Sequence, residues 1–296
     1  IYKDLGNLDQ ALASTLKSLE LEPEGSQALC KLRLIKMSLG QAKEARKDLL
    51  TSIERNSQEC ESYHALSTMI ETTDEAEEVI DLIKSVEISV LNPQKRAFAE
   101  FALSNCFHKI KKYEIASKHL QSANKYKLTA FSSNADTLLQ KIALSTSRFE
   151  AAKTTNTNTN IGEGKIFIVG MPRSGSTLLE TILSMNPKIK DLGESRALEK
   201  AIAKTQQLNY NSDKQAVDKI YSQMEQINDS KYKYTTNKNL YNIARINWIT
   251  AYMPAAKIIH CRRNPMDNIL SMYRGNLAAG NNYTANLEDA ARVLVA

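Results

Sequence analysis

A chain of 296 residues, 42% hydrophobic and 24% charged, has the composition of a globular protein and the length for about two domains at ~100–200 residues each. Its formal charge of +6 is a mild excess that suits an anionic ligand or plain solubility and does not by itself point to nucleic acid. Cys30, Cys60, Cys106 and Cys261 form neither a CxxC pair nor a Cys/His cluster, which argues against a disulfide scaffold and against a metal site.

No run reaches the ~18 consecutive apolar residues of a membrane span, and the opening IYKDLGNLDQ is not a signal peptide, so a cytoplasmic location is expected. The chain opens without Met and in the middle of a repeat pattern, so a longer parent chain with an upstream segment is expected. Gly6 and Gly40 are 34 residues apart, as are Ala11 and Ala45, and Pro23 closes the first helical pattern. In LGNLDQALASTLKSLELEPEG, Ala11 permits close helix approach while Leu12, Leu16 and Leu19 make the expected buried stripe. Residues 26–56 repeat the plan. A degenerate copy from 57 has TTDEAEEVIDLIKSVE as its second helix, and another from 94 carries Tyr113 and Ala116 in YEIASKHLQSANKYK. A last helix near 132–147 is expected to close the array. The 34-residue period resembles that of tetratricopeptide repeats, clearest in the first two copies. Such arrays either bind partner segments on an open face or only support a neighbouring domain.

The stretch 151–164, rich in Thr, Asn and Gly, reads as a linker. KIFIVG, 165–170, then reads as a buried strand. It meets GMPRSGSTLLETILSMNP, in which Gly170, Gly175, Ser176 and Thr177 fit a phosphate-loop spacing with Ser176 where the lysine would stand. A strand, a Gly-bearing loop and a helix N-terminus direct backbone N–H groups at an anion. Arg173 supplies charge that an NTPase takes from that lysine and Mg²⁺. The helix from Ser176 is expected to bury Leu178, Leu179, Ile182 and Leu183.

In AAKIIHCRRNPMDNILSMYRGN, Lys257 to Cys261 reads as another buried strand, with His260 packed. Asn264 and Pro265 suit a helix cap and first turn, and Ile269, Leu270 and Tyr273 form its expected apolar face. Arg262 and Arg263 thus stand at a strand's carboxyl end, where open α/β sheets bind ligands, and with Ser271 they make a second candidate phosphate pocket. The bland alternative for an Arg pair is solvated charge.

IFIVGMPRSGSTLLE resembles the 5′-phosphosulfate loop of sulfotransferases that use 3′-phosphoadenosine-5′-phosphosulfate (PAPS), and IIHCRRNPMDNILSMYR resembles their 3′-phosphate segment. The two lie in order, ~90 residues apart. The chain resembles in plan the bacterial sulfotransferases fused behind tetratricopeptide repeats, which also resemble the tyrosylprotein sulfotransferases. The resemblance implies that Arg173, Ser174, Gly175, Ser176 and Thr177 hold the 5′-phosphosulfate and that Arg263 and Ser271 hold the 3′-phosphate. GESR, 193–196, resembles the segment whose Glu is the base, which gives that role to Glu194. TNKNLYNIARI, 236–246, resembles the family's D-K-x-P segment, which makes Lys238 the cation at the transferring group, although Asn237 replaces the acid and the Pro is missing.

The chemistry is coherent on its own terms: sulfuryl transfer needs in-line positioning, neutralisation of the leaving phosphate and removal of a proton from the acceptor. A carboxylate is a weaker base than a phenolate, so Glu194 would take the proton late. Arg196 either binds an acidic acceptor or pairs with a neighbouring carboxylate. Trp248 and Tyr252 read as core. The expected architecture is an α-helical tetratricopeptide-like domain over 1–150, a linker over 151–164 and a P-loop-like three-layer α/β domain with a mostly parallel sheet over 165–296, C-terminally incomplete. The expected activity is metal-free transfer from PAPS to a hydroxyl acceptor, for which a protein tyrosine brought by the repeats, a glycan hydroxyl and a small alcohol all fit, with no nucleic acid and no membrane segment. The rival readings are a P-loop nucleotide kinase or NTPase, disfavoured by Ser176, and a non-catalytic scaffold.

Overall fold

The computed structural model describes residues 8–22, 28, 32–33, 35–37, 39–150, 160–208, 213–225, 227, 231–278 and 280–296. Gly6, Pro23, Cys30 and most of the expected linker lie outside these residues. The chain divides into two compact units. One takes the chain to Ser133 together with Tyr273–Asn286, and the other comprises Asn134–Met272 and Leu287–Ala296.

The first unit is helical. It contains α1 (Leu8–Leu21), α2 (Ala42–Arg55), α3 (Cys60–Ser67), α4 (Thr73–Lys84), α5 (Pro93–Lys109) and α6 (Tyr113–Ala130). The start of α4 is fixed by a capping box in which Thr72 accepts from the Glu75 N–H and the Glu75 side chain answers to the Thr72 N–H. Pro93 at the first turn of α5 and the Asn92 side chain accepting from the Lys95 N–H do the same there. Ala99, Ala102 and Cys106 are fully buried on α5, and such small side chains let α6 and α3 lie close. Ala11 and Ala45 are buried as expected. The stripe on α1 is not: Ala11 and Thr15 face inward, Thr15 bonds back to the Ala11 carbonyl, and Leu16 is 43% exposed. The inward line is thus the small-residue one, one position ahead of the leucines. In α6, Ala116 is buried while Tyr113 is exposed and meets the His108 ring edge-on. Tyr273–Asn286 belongs to this unit, held on α6 by Asn124 Nδ2 to the Tyr273 carbonyl (3.0 Å) and Lys127 Nζ to the Leu277 carbonyl (2.7 Å).

The second unit begins with α7 (Ala135–Glu150), the helix expected to close the repeats. It packs instead against the Leu240–Arg245 3₁₀ turn, α11 (Ile246–Tyr252) and α13 (Leu287–Val295), with Arg292 reaching Asp136 at 2.6 Å, so the division falls at Ser133–Asn134 rather than at 150. Strands β1 (Lys165–Gly170), β2 (Ile189–Asp191), β3 (Tyr234–Asn237) and β4 (Lys257–Cys261) form one four-stranded sheet in the order β2-β3-β1-β4. All the pairings are parallel; Phe167 sits opposite Asn237 on one side and Ile258 on the other. The sheet edge at β4 is half-exposed, with Lys257 and His260 facing solvent, so His260 is not packed as expected; among the described residues β4 pairs with β1 alone.

Between β1 and β2 runs α8 (Ser176–Ser184), and between β2 and β3 run α9 (Ala197–Gln207) and α10 (Lys214–Glu225). The β1-to-β2 crossover runs one way across the sheet and the later crossovers run the other, so right-handed connections put α8 on one face and α9 to α11 on the opposite face. This is the expected three-layer α/β plan. Phe167, Leu198, Ala201, Tyr221, Ile249 and Met253 form the core on the second face, with Trp248 packed at its edge. Being parallel, the sheet gathers every strand's carboxyl end on a single rim.

Candidate active site

β1 delivers the chain to that rim at Gly170, whose φ of +147° and close approach to β4 exclude a side chain: a Cβ would lie 2.5 Å from the Cys261 carbonyl oxygen. The loop then passes through Arg173 at φ +67°, a left-handed conformation that costs a non-glycine residue ~1 kcal/mol. The conformation is held from outside, by Asn268 Nδ2 donating to the Pro172 carbonyl at 2.7 Å and Arg263 Nη1 to the Arg173 carbonyl at 3.4 Å. Gly175 is the N-cap of α8 and has no side chain to accept from the first-turn N–H groups, which leaves them for an external anion. Ser174 Oγ is shielded from solvent and has no hydrogen-bond partner, as expected of a group shaped for a ligand oxygen. An orphan hydroxyl and an uncapped helix start in one loop fit a phosphate or phosphosulfate end. Ser176 is buried and Thr177 exposed.

β4 ends on the same rim. Asn264 Oδ1 accepts from the N–H groups of Met266 (3.0 Å) and Asp267 (3.3 Å), so it caps α12 (Pro265–Arg274) as expected. Arg262 and Arg263 are exposed beside that helix start. Arg173 Nε lies 3.2 Å from Ser271 Oγ. Arg173 therefore meets Ser271 through its guanidinium and Arg263 through its backbone carbonyl, whereas it was expected to serve the loop pocket, and the two cradles are contiguous. The reason is local: the left-handed turn at Arg173 directs its side chain outward to α12.

The other two rim positions carry the base and cation candidates. Lys238, directly after β3, is 6% exposed, and its Nζ lies 3.0 Å from Glu194 Oε1. Glu194 follows β2 and is open to solvent. Backbone bonds hold both segments: Leu192 N–H to the Thr236 carbonyl (3.0 Å) and Lys238 N–H to the Gly193 carbonyl (2.7 Å). Asn237, the departure from the family pattern, is 1% exposed; its Nδ2 donates to Tyr221 Oη at 3.2 Å, and its Oδ1 accepts from Asn239 N–H and Asn242 Nδ2. Arg196 is held by Glu199 in a two-pronged pair, both contacts 2.8 Å, so of its two readings the carboxylate pairing is the one present. Among the described residues no group of three or more His, Cys, Asp or Glu is placed to hold a metal ion, and no helix is long and apolar enough to cross a membrane.

The residue overlooked in the sequence is Glu180. The helices after the two loops were expected to turn leucines inward; instead α8 buries Ser176 and Glu180 and leaves Leu178 and Ile182 66% and 54% exposed. In α12, Asn268 and Met272 are buried and Leu270 is exposed. Glu180 Oε1 accepts from Thr236 Oγ1 at 2.7 Å and from the Gly193 N–H at 3.2 Å. Burial pushes its carboxyl above the ordinary range, against the downward pull of those hydrogen bonds and of Lys238. The available signal was a lone acid in the interior of an apolar helix pattern.

Residues 165–294 match a family model described as Sulfotransferase family. A protein of Aquifex aeolicus (strain VF5), described as an uncharacterized protein, is 29% identical over 131 residues, which is 38% of this chain. The match spans 17% of that relative's length. No solved structure matches significantly.

Proposed function

We propose that the second unit transfers a sulfuryl group from PAPS to a hydroxyl acceptor. The observation that carries this reading is the single rim on which the loop 171–175, the Arg173–Ser271–Arg263 cluster and the Lys238–Glu194 pair all lie. A nucleotide with charged groups at its 5′ and 3′ ends calls for two anion cradles in one crevice, and the match to the sulfotransferase family over these same residues supports that choice.

On this reading, the N–H groups of Gly175, Ser176 and Thr177 with Ser174 Oγ hold the 5′ end, and Arg263 and Ser271, with the Arg173 guanidinium beside Ser271, hold the 3′-phosphate. Bound there, the donor supplies a sulfuryl group on a phosphate leaving group. Glu194 takes the acceptor's proton as the acceptor oxygen bonds to sulfur and the sulfur–oxygen bond to phosphate breaks. Lys238 sets a positive charge beside the oxygen that leaves, where it is worth most because the side chain is buried. Acceptors of this chemistry include the tyrosine of a protein, and the first unit, read as tetratricopeptide-like, would bind a peptide carrying it. The test is calorimetry of the complete protein with adenosine 3′,5′-bisphosphate. Binding that Arg263→Ala weakens ~10-fold or more, as loss of a charge-assisted contact should, supports the reading. Absence of binding, or binding indifferent to Arg263→Ala, refutes it.

A further inference from the structure

We infer that Glu180 is a positioning residue that fixes the Glu194 loop and the Lys238 strand end against the helix of the anion loop. The inference rests on the sulfuryl-transfer reading for its chemical meaning, but its geometry stands apart from it. A carboxylate in a buried helix position loses hydration that a leucine there would not need, and α8 has apolar side chains to spare, since it leaves Leu178 and Ile182 exposed. Such an inversion of polarity is expected where a side chain has a task other than packing.

The partners define the task. Thr236, fully buried, is two residues before Lys238, and Gly193 is the residue before Glu194. One oxygen of Glu180 accepts from both. Gly193 adopts φ +57°, which turns its N–H away from the β2–β3 ladder and toward α8, while its carbonyl still receives the Lys238 N–H. Glu180 therefore closes a triangle of hydrogen bonds whose corners are the anion-loop helix, the strand end of the cation and the loop of the base. Without it, the Gly193 N–H and Thr236 hydroxyl lose their acceptor at a point where a shift of ~1 Å is enough to cost ~100-fold in rate. Glu180 touches neither the proposed donor nor the acceptor, so its action is through Gly193 and Thr236.

The experiment compares Glu180→Leu, which keeps volume and removes the acceptor, with Glu180→Gln, which keeps an acceptor oxygen. Three quantities are read on the complete protein: amide exchange over Leu192–Ser195, affinity for adenosine 3′,5′-bisphosphate, and transfer of label from PAPS to whichever lysate component the parent protein labels. Glu180→Leu is expected to speed exchange at Gly193 about 10-fold and to lower transfer roughly 100-fold with bisphosphate affinity within about twofold of the parent, and Glu180→Gln is expected to restore both to within about threefold. Unchanged exchange and transfer in Glu180→Leu overturn the inference. So does a loss of bisphosphate affinity parallel to the loss of transfer, since that marks a collapse of the whole site rather than misplacement of two groups. If the parent protein neither binds bisphosphate nor transfers label, the sulfuryl-transfer reading fails, and exchange at Gly193 still decides the role of Glu180.

Discussion

Asn237→Asp is the substitution toward the D-K-x-P segment that residues 236–246 resemble, and the structure predicts that here it is harmful. Tyr221 is deeply buried and hydrogen-bonds Glu225, and its hydroxyl is held well above the ordinary phenol range, first by burial and then by the Glu225 charge. The Tyr221 proton is thus directed to Glu225, and its oxygen accepts from Asn237 Nδ2. A carboxylate at 237 would face that oxygen with no proton between them. Losing one hydrogen bond of ~1 kcal/mol and leaving buried polar atoms unpaired at ~1–3 kcal/mol sums to about 3 kcal/mol, a large part of the ~5–15 kcal/mol typical of a domain. A penalty of that size corresponds to raising the new carboxyl from ~3.9 by about two pKa units, to roughly 6. A carboxyl raised in the folded state is penalised above its folded value and unpenalised below its unfolded one, so the deficit should be full at pH 8 and shrink between pH 6 and 4. Trp248 is the single tryptophan and packs at the core of the second unit, so urea unfolding followed by its fluorescence reports on this unit. A variant within ~0.5 kcal/mol of the parent at pH 8, or one whose deficit is the same at pH 8 and pH 5, would refute the reasoning, because surface-like tolerance is then what the site has.

Gly170→Ala should destabilise the second unit by about 2–3 kcal/mol and abolish bisphosphate binding, because the new methyl meets backbone rather than a flexible side chain; the same fluorescence assay and calorimetry check both. Glu194→Gln should lower transfer by ~10²–10⁴-fold while bisphosphate affinity changes little, the pattern of a lost base. In the first unit, burial pulls the Lys127 ammonium down to about 8. A lysine depressed on folding penalises the folded state at lower pH and releases the penalty as pH rises from its folded toward its unfolded value, so the stability of the parent relative to Lys127→Met should climb between pH 8 and about 10. Thermal unfolding of the two proteins over that range that runs parallel would contradict it.

Local features were legible in the sequence where neighbouring residues determine them. The strand at 165–170, the Gly-bearing turn and the Asn264–Pro265 helix start are each written in a few consecutive residues, and each is present. The three-residue β2 was not foreseen, since IKD carries no strand pattern and is extended because β3 pairs with it. Orientation of α8 and α12 was misread for one reason: apolar periodicity assumes that the inward face is the apolar one, whereas both helices turn a polar side chain, Glu180 or Asn268, to bind backbone in the loops. The same assumption misplaced the inward face of α1. The allegiance of α7 was out of reach because an amphipathic helix states that it has a partner without naming it. Among candidate site residues, proximity of Glu194 to Lys238 and of Arg173 to Ser271 depends on strand order, which no local pattern encodes.

The backbone bond between Lys238 and Gly193 has an evolutionary implication. Two side chains hung from adjoining parallel strand ends inherit their separation from the ~4.8 Å lattice of the sheet, and that lattice barely varies. Substitutions that leave the Glu180 contacts and this backbone bond in place keep the separation of the Glu194 and Lys238 backbones nearly constant. If the proposed function holds, diversity in the acceptor would arise in the segments beyond Ser195 and Asn239, which can lengthen or change composition while the Glu194–Lys238 pair stays as it is.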